Sequence, residues 1–269
     1  MQAMERFRGR LAVGETLVGA SITFSDPLVT EALADSVDFV WIDLEHVAMS
    51  PGALQGHLLA ARGRGVPSLV RVAGSATPFI KPVLDSGAEG IIVPQVQSVA
   101  EVRGVVSDCR YPPLGRRGYG PRVPSNYGRD GGSAYVDRAN RQTFVAVQIE
   151  TREALDALDE ILAVPGIDSL VLGPWDLSAA LGRLGDVEHP EVVAALEQVI
   201  DKTRSAGLFV GSGMGPDPAY ALTMARRGVQ WLQVGCDYGY LTTAMDTIAR
   251  SIRRGLADDS GARPGDLSS

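Results

Sequence analysis

Eight short apolar runs recur along the chain, each followed by a segment with the length and pattern of a helix. They read LVGASITF (17–24), FVWIDLE (39–45), SLVRV (68–72), GIIVPQV (90–96), TFVAVQIE (143–150), SLVLGP (169–174), LFVGSG (208–213) and WLQVGCD (231–237). Runs this short and this continuously apolar are what a parallel sheet buries on both faces. Between them, Asp26 ahead of Pro27 starts a helix over 27–36 and Ser-Pro opens another over 50–65. Further helices are predicted around ATPFIKPVLDSG and over 98–109, 152–164, 190–206, 217–227 and 239–256, with a leading helix from Met4 to Leu11. Eight such units in about 250 residues predict a (β/α)8 TIM barrel. A doubly wound open sheet is the alternative, but it rarely needs so many regular units. The barrel is expected as one domain over 1–256, with a loop rich in Gly, Pro, Arg and Tyr from Arg110 to about Arg138 and a disordered tail over 257–269.

Composition narrows the chemistry. The 269 residues carry a net charge of -7, which disfavours nucleic acid or an anionic membrane as partner. Lys81 and Lys202 are the only lysines among 25 basic residues, and both fall in predicted helices away from any strand end. A Schiff-base mechanism, which needs a lysine in the site, is thereby excluded. Cys109 and Cys236 belong to no CxxC or Cys/His pair, so neither a zinc-thiolate site nor a disulfide framework is implied. Charged residues interrupt the first twenty positions, no run is long enough to span a membrane, and the expected location is the cytoplasm.

Polar residues collect where the strands end. Strand two ends in Asp43, Glu45 and His46, strand three in Arg71, strand four in Gln95, and strand five in Gln148 and Glu150. Asp176, Ser212 and Asp237 follow strands six, seven and eight. In a barrel these ends share one face, the face on which active sites are built. Glu150 and Asp176, from adjacent strands, are able to hold one hard cation such as Mg²⁺ or Mn²⁺; each is equally able to cap the helix that follows it. His46 lies beside two carboxylates, as a general base would, although an isolated His is more often packed or solvated. Arg71 suits a substrate carboxylate or a developing oxyanion, or else it neutralises Asp43 or Glu150. GSGMG (211–215) is expected to form a tight turn rather than a phosphate grip, and His57 and His189 read as structural or exposed.

FVWIDLEH, SLVRV, GAEGIIVPQV, RYPPLGRRGYGP, VAVQIET and LGPWDLS, in that order, resemble the HpcH/HpaI aldolase family of metal-dependent class II pyruvate aldolases, from about Gly19 to Leu241. The resemblance implies a barrel of the phosphoenolpyruvate/pyruvate type that makes or breaks a C–C bond between a 2-oxoacid enolate and an aldehyde. By it, Glu150 and Asp176 are ligands of Mg²⁺, Mn²⁺ or Co²⁺, Gln148 lies over the pyruvate, and the backbone of Gly173, Pro174, Trp175 and Asp176 holds its carboxylate. Arg71 would steady the enolate oxygen, and His46 with Asp43 would manage the proton on the aldehyde-derived oxygen, with Glu45 behind them. It also implies a hexamer, a trimer of dimers with an exchanged C-terminal helix, in which the loop around Arg116 to Pro121 borders a neighbour's pocket. Leu44, Trp175 and the end of strand one, GASITFSDP, depart from the family pattern, and a bulky Trp175 reshapes the aldehyde side. Related enolate reactions remain as alternatives: oxaloacetate decarboxylation, a macrophomate-synthase-like step, or a citrate-lyase-type acyl-CoA lyase, for which no basic patch is evident. The last alternative, a non-catalytic barrel subunit, fits poorly with an intact set of Glu150, Asp176, Arg71 and His46.

Overall fold

A computed structural model describes residues 2–261, with side chains as far as 257. Eight parallel strands close into a barrel in sequence order, each hydrogen-bonded to the next and the eighth to the first. They are β1 (Leu17–Ile22), β2 (Phe39–Asp43), β3 (Ser68–Arg71), β4 (Gly90–Val93), β5 (Phe144–Ile149), β6 (Ser169–Leu172), β7 (Phe209–Met214) and β8 (Trp231–Cys236). Among the described residues, no helix is long and apolar enough to cross a membrane.

The helices start where their caps dictate. In α2 (Pro27–Leu33) the Asp26 carboxylate accepts from Leu28 N–H at 3.0 Å, and in α3 (Pro51–Arg64) Ser50 accepts from Ala53 N–H at 3.1 Å. After α4 (Thr77–Asp85), Ser98 serves α5 (Val99–Cys109) in the same way. The loop that follows is shorter than expected, because residues 132–142 form α6 (Gly132–Gln142). That helix starts on glycine with no side-chain cap, so the usual start signal is missing, and it is held by burying Tyr135 and Ala139 one turn apart. The expected helix over 152–164 is broken in two, α7 (Arg152–Asp156) and α8 (Leu158–Leu162). The remainder are α9 (Pro174–Ala180), α10 (Pro190–Ser205), α11 (Pro218–Arg226) and α12 (Asp237–Gly261). Helix α12 is described as far as Gly261, so the tail expected over 257–269 begins within it; 262–269 lie outside the described residues.

Strand side chains alternate between two cores. Val40, Ile42, Val70, Ile91, Val145 and Val147 point outward and pack against the helices. Phe39, Trp41, Leu69, Ile92, Phe144, Ala146, Val171 and Trp231 fill the barrel itself. The leading helix α1 (Gln2–Ala12) inserts Met4, Phe7 and Leu11 into that inner core and closes its N-terminal end. Phe7 meets the rings of Phe39 at 5.5 Å and Phe144 at 5.6 Å edge-on, a favoured aromatic geometry.

One expectation fails here for a clear reason. GSGM is the end of β7 and not a turn. Gly211 faces inward, and a Cβ there would run into the indole of Trp231; the glycine exists to admit that ring.

Candidate active site

The same alternation sets the site. Counting on by two from the inward residues of β2, β3 and β5 leads from Trp41 to Asp43, from Leu69 to Arg71, and from Ala146 through Gln148 to Glu150. All of these emerge at the carboxyl ends of the strands, where a cavity of about 850 Å³ opens. Asp43, His46, Arg71, Gln148, Gly173, Pro174, Trp175 and Asp176 line it. Glu45 and Glu150 stand just behind this lining, with Glu150 2% exposed.

Asp43 and Arg71 are register partners on adjacent strands, so their side chains meet across one ladder step. Arg71 Nε donates to Asp43 Oδ1 at 2.9 Å and Nη2 to Oδ2 at 2.7 Å, a forked pair. Nη1 lies 3.0 Å from Glu45 Oε2, and the guanidinium lies 5.5 Å from the Trp41 ring. Burial works against the Arg71 charge, yet Asp43, with Glu45 and Glu150 nearby, more than offsets it and raises the pKa. Burial likewise raises the Glu45 pKa, opposed by Arg71 and His46. The exposed His46 has Nε2 3.6 Å from Glu45 Oε2. Glu45, rather than Asp43, is thus the carboxylate beside the imidazole, while both Asp43 oxygens accept from Arg71.

Glu150 is fixed from two sides. Its Oε1 accepts the backbone N–H of Gln95 at 2.8 Å, and its Oε2 accepts from the Gln148 amide. Gln95 aims that N–H from a left-handed backbone, φ 54°, uncommon for a residue with a side chain. Gly173 completes the cradle: a Cβ there would collide with the Glu150 carboxylate and the Gln148 amide. Burial first, then the neighbouring charges of Asp176 and Glu45, push the Glu150 carboxyl up to about 7, against the Gln95 and Gln148 hydrogen bonds. A buried Glu150 whose ionisation the neighbouring acids disfavour, with no basic side chain among the described residues bonded to it, makes a setting that a cation would relieve. Among the described residues, Gln148 Oε1 is a buried oxygen with no hydrogen-bond partner. Among the described residues no three His, Cys, Asp or Glu side chains gather as a metal cluster. Glu150 and Asp176 remain as a candidate pair of oxygen donors.

Other strand-end residues serve the frame. Asp237 is buried and accepts from Thr23 N–H at 2.7 Å, from the Thr23 hydroxyl and from Phe24 N–H at 2.8 Å, which pins the loop after β1. Ser212 is fully buried and does not line the cavity. His57 is buried between Thr30 and Phe24, and His189 caps α10. Lys202 pairs with Asp159 on the outer helices, and Lys81 lies on α4 outside the cavity lining. Sequence reading missed Phe24, Gln233 and Tyr238, which also line the cavity; the step of two from Trp231 to Gln233 would have found one of them.

Fold and cavity together define the class: a (β/α)8 barrel with an acid-lined pocket at the carboxyl ends of its strands, where such barrels carry their active sites. Within that class the chain belongs to the HpcH/HpaI aldolase/citrate lyase family, which it matches over residues 23–244. It is 37% identical over 246 residues to a hydroxypyruvate/pyruvate aldolase of Roseovarius nubinhibens, covering 91% of this chain and 95% of the relative. A 2-keto-3-deoxy-L-rhamnonate aldolase of Salmonella gallinarum is 36% identical, with 90% of each chain covered. Among solved structures, an HpcH/HpaI aldolase from Desulfitobacterium hafniense superposes with a TM-score of 0.86 at 30% identity, covering 96% of this chain and 97% of the other.

Proposed function

We propose that the protein is a class II aldolase that joins the enolate of pyruvate, or a related 2-oxoacid, to an aldehyde, or cleaves the product in reverse. The observation that carries this reading is a guanidinium locked by two carboxylates, Arg71, beside the same cavity as a second acidic pair, Glu150 and Asp176. Glu150 and Asp176 would hold Mg²⁺, Mn²⁺ or Co²⁺. Such an ion, when bound, supplies Lewis acidity that makes a methyl proton of the oxoacid removable.

The chain's own residues orient the reactants and meet the charge. Gln148 would lie over the oxoacid, and the turn from Gly173 through Pro174 and Trp175 to Asp176 would receive its carboxylate. Arg71 would offer its remaining N–H groups to the enolate oxygen, and the fork from Asp43 keeps it from turning away. His46, with Glu45 beside it, would carry the proton of the aldehyde-derived oxygen. In the cleavage direction, loss of the C4 hydroxyl proton lets the C3–C4 electrons collapse into the enolate and releases the aldehyde. An acyl-CoA substrate is a poorer fit, because the described basic residues lining the cavity are Arg71 and His46, each facing a carboxylate.

Self-association belongs to this reading. Helix α12 carries Leu241, Met245, Ile248, Ile252 and Leu256, all exposed, at the spacing of one helical face. That stripe fits docking on a second copy and the expected hexamer with exchanged helices.

Pyruvate incubated with the protein in D₂O, with and without Mn²⁺, tests the enolate step through loss of the methyl signal by NMR. Metal-dependent exchange is expected, with a loss of about 100-fold or more in Glu150→Ala. Exchange that persists in EDTA would refute the reading.

A further inference from the structure

The cavity is far larger than a three-carbon oxoacid requires, and its outer part differs chemically from its floor. The floor holds Asp43, Arg71, Gln148 and Asp176, with Glu150 beneath. The rim is aromatic. Phe24 from the loop after β1, Trp175 from the first turn of α9 and Tyr238 from the first turn of α12 face the same opening, exposed by 39%, 56% and 54%. Val47, Met214 and Pro216 continue the apolar wall.

The backbone that carries Phe24 and Trp175 is held in place. Phe24 donates its N–H to Asp237 at 2.8 Å, and its carbonyl accepts from His57 Nε2 at 2.9 Å. The Trp175 carbonyl accepts from the Ser178 hydroxyl at 2.6 Å, and a Cβ at Gly185 would come within 3.6 Å of the indole. Elsewhere Trp41 and Trp231 are buried, so Trp175 is the tryptophan that keeps its ring open to solvent.

Charge points the same way. Arg71 and His46 are the basic residues among the described lining, and Asp43, Glu45, Glu150 and Asp176 surround them. Arg71 is committed to Asp43 and Glu45 through all three of its nitrogens. A divalent cation would bring the cluster only close to neutral. Within this chain, a carboxylate on the far end of an acceptor would therefore meet at the lining no cation but Arg71 and His46, each facing a carboxylate, and would have to leave water beside apolar rings.

We propose that the acceptor is an uncharged aldehyde with an aromatic or bulky apolar substituent, and that Trp175 determines this preference by lying against that substituent, with Phe24 and Tyr238 around it. The proposal rests on the aldol reading above. Aromatic side chains offer large rigid contact areas, and even one methylene against an apolar wall discriminates by roughly tenfold or more.

The test compares kcat/KM for aldol addition of pyruvate, with Mn²⁺, to benzaldehyde and to 4-oxobutanoate, the latter carrying a terminal carboxylate. Benzaldehyde is expected to be preferred by about tenfold or more. That ratio should fall towards unity in Trp175→Ala and be kept in Trp175→Phe; being a ratio within each variant, it cancels any general loss of activity. Preference for 4-oxobutanoate, or a ratio unchanged in Trp175→Ala, overturns the proposal. Pyruvate methyl exchange in D₂O, measured without any aldehyde, separates the two levels. Exchange with no benzaldehyde turnover sinks the acceptor assignment alone, whereas neither exchange nor turnover removes the aldol reading with it.

Discussion

His57 shows how one buried ring serves the site without entering it. Its Nε2 faces the Phe24 carbonyl at 2.9 Å and must donate, which leaves Nδ1 to accept from the Thr30 hydroxyl at 2.8 Å. Both bonds suit the neutral imidazole. Burial lowers its pKa below the ordinary 6.5, although Phe24, Asp237 and Asp26 pull the other way. The unfolded chain therefore takes up a proton near pH 6.5 while the folded chain refuses it, so this residue's contribution to stability is full above 6.5 and is lost as the pH falls towards the lowered value. Urea midpoints at pH 7.5 and 5.0 should drop further for the wild type than for His57→Gln, whose amide still donates to the Phe24 carbonyl. Equal drops would refute this account. Among the site residues, Asp43, Arg71, Gln148 and Glu150 were legible because each ends a strand with the inward parity. The pairing of His46 was not. Glu45 is the carboxylate near the imidazole while Asp43 is engaged by Arg71 from the next strand, a partnership across two strands that no local pattern records.

At the level of elements, strands were easier to read than their neighbours. All eight were visible as apolar runs, whereas α6 lacked a cap to announce it and the glycines of β7 imitated a turn. Glycine signals freedom in the sequence but here signals the volume of a partner, Trp231, twenty residues away on β8. Gly211→Ala should thus lower the urea stability by about 1–3 kcal/mol through overpacking, because the indole has no room to retreat within the barrel. Gly215→Ala, with open space around its Cβ, should change it by less than about 0.5 kcal/mol. Equal effects at the two positions would show that the Trp231 contact is not the cause.

For the whole molecule, the exposed stripe of α12 is the feature a lone barrel does not use. If it docks on a second copy, Ile248→Asp should shift sedimentation velocity towards smaller species, and Arg250→Ala on the same helix should leave the distribution unchanged. Smaller species in neither variant would remove α12 from the assembly. The plug formed by α1 bears on the site in a different way. With Met4, Phe7 and Leu11 filling the far end of the barrel, the described chain leaves one doorway for everything that reacts. On the proposed reading an oxoacid on the floor and an aldehyde at the rim would share that passage, and whichever occupied the rim would bar the other. Turnover is then expected to be ordered, with the oxoacid entering first in addition and leaving last in cleavage. A dead-end oxoacid analogue should accordingly act competitively against pyruvate and never be outcompeted by excess aldehyde.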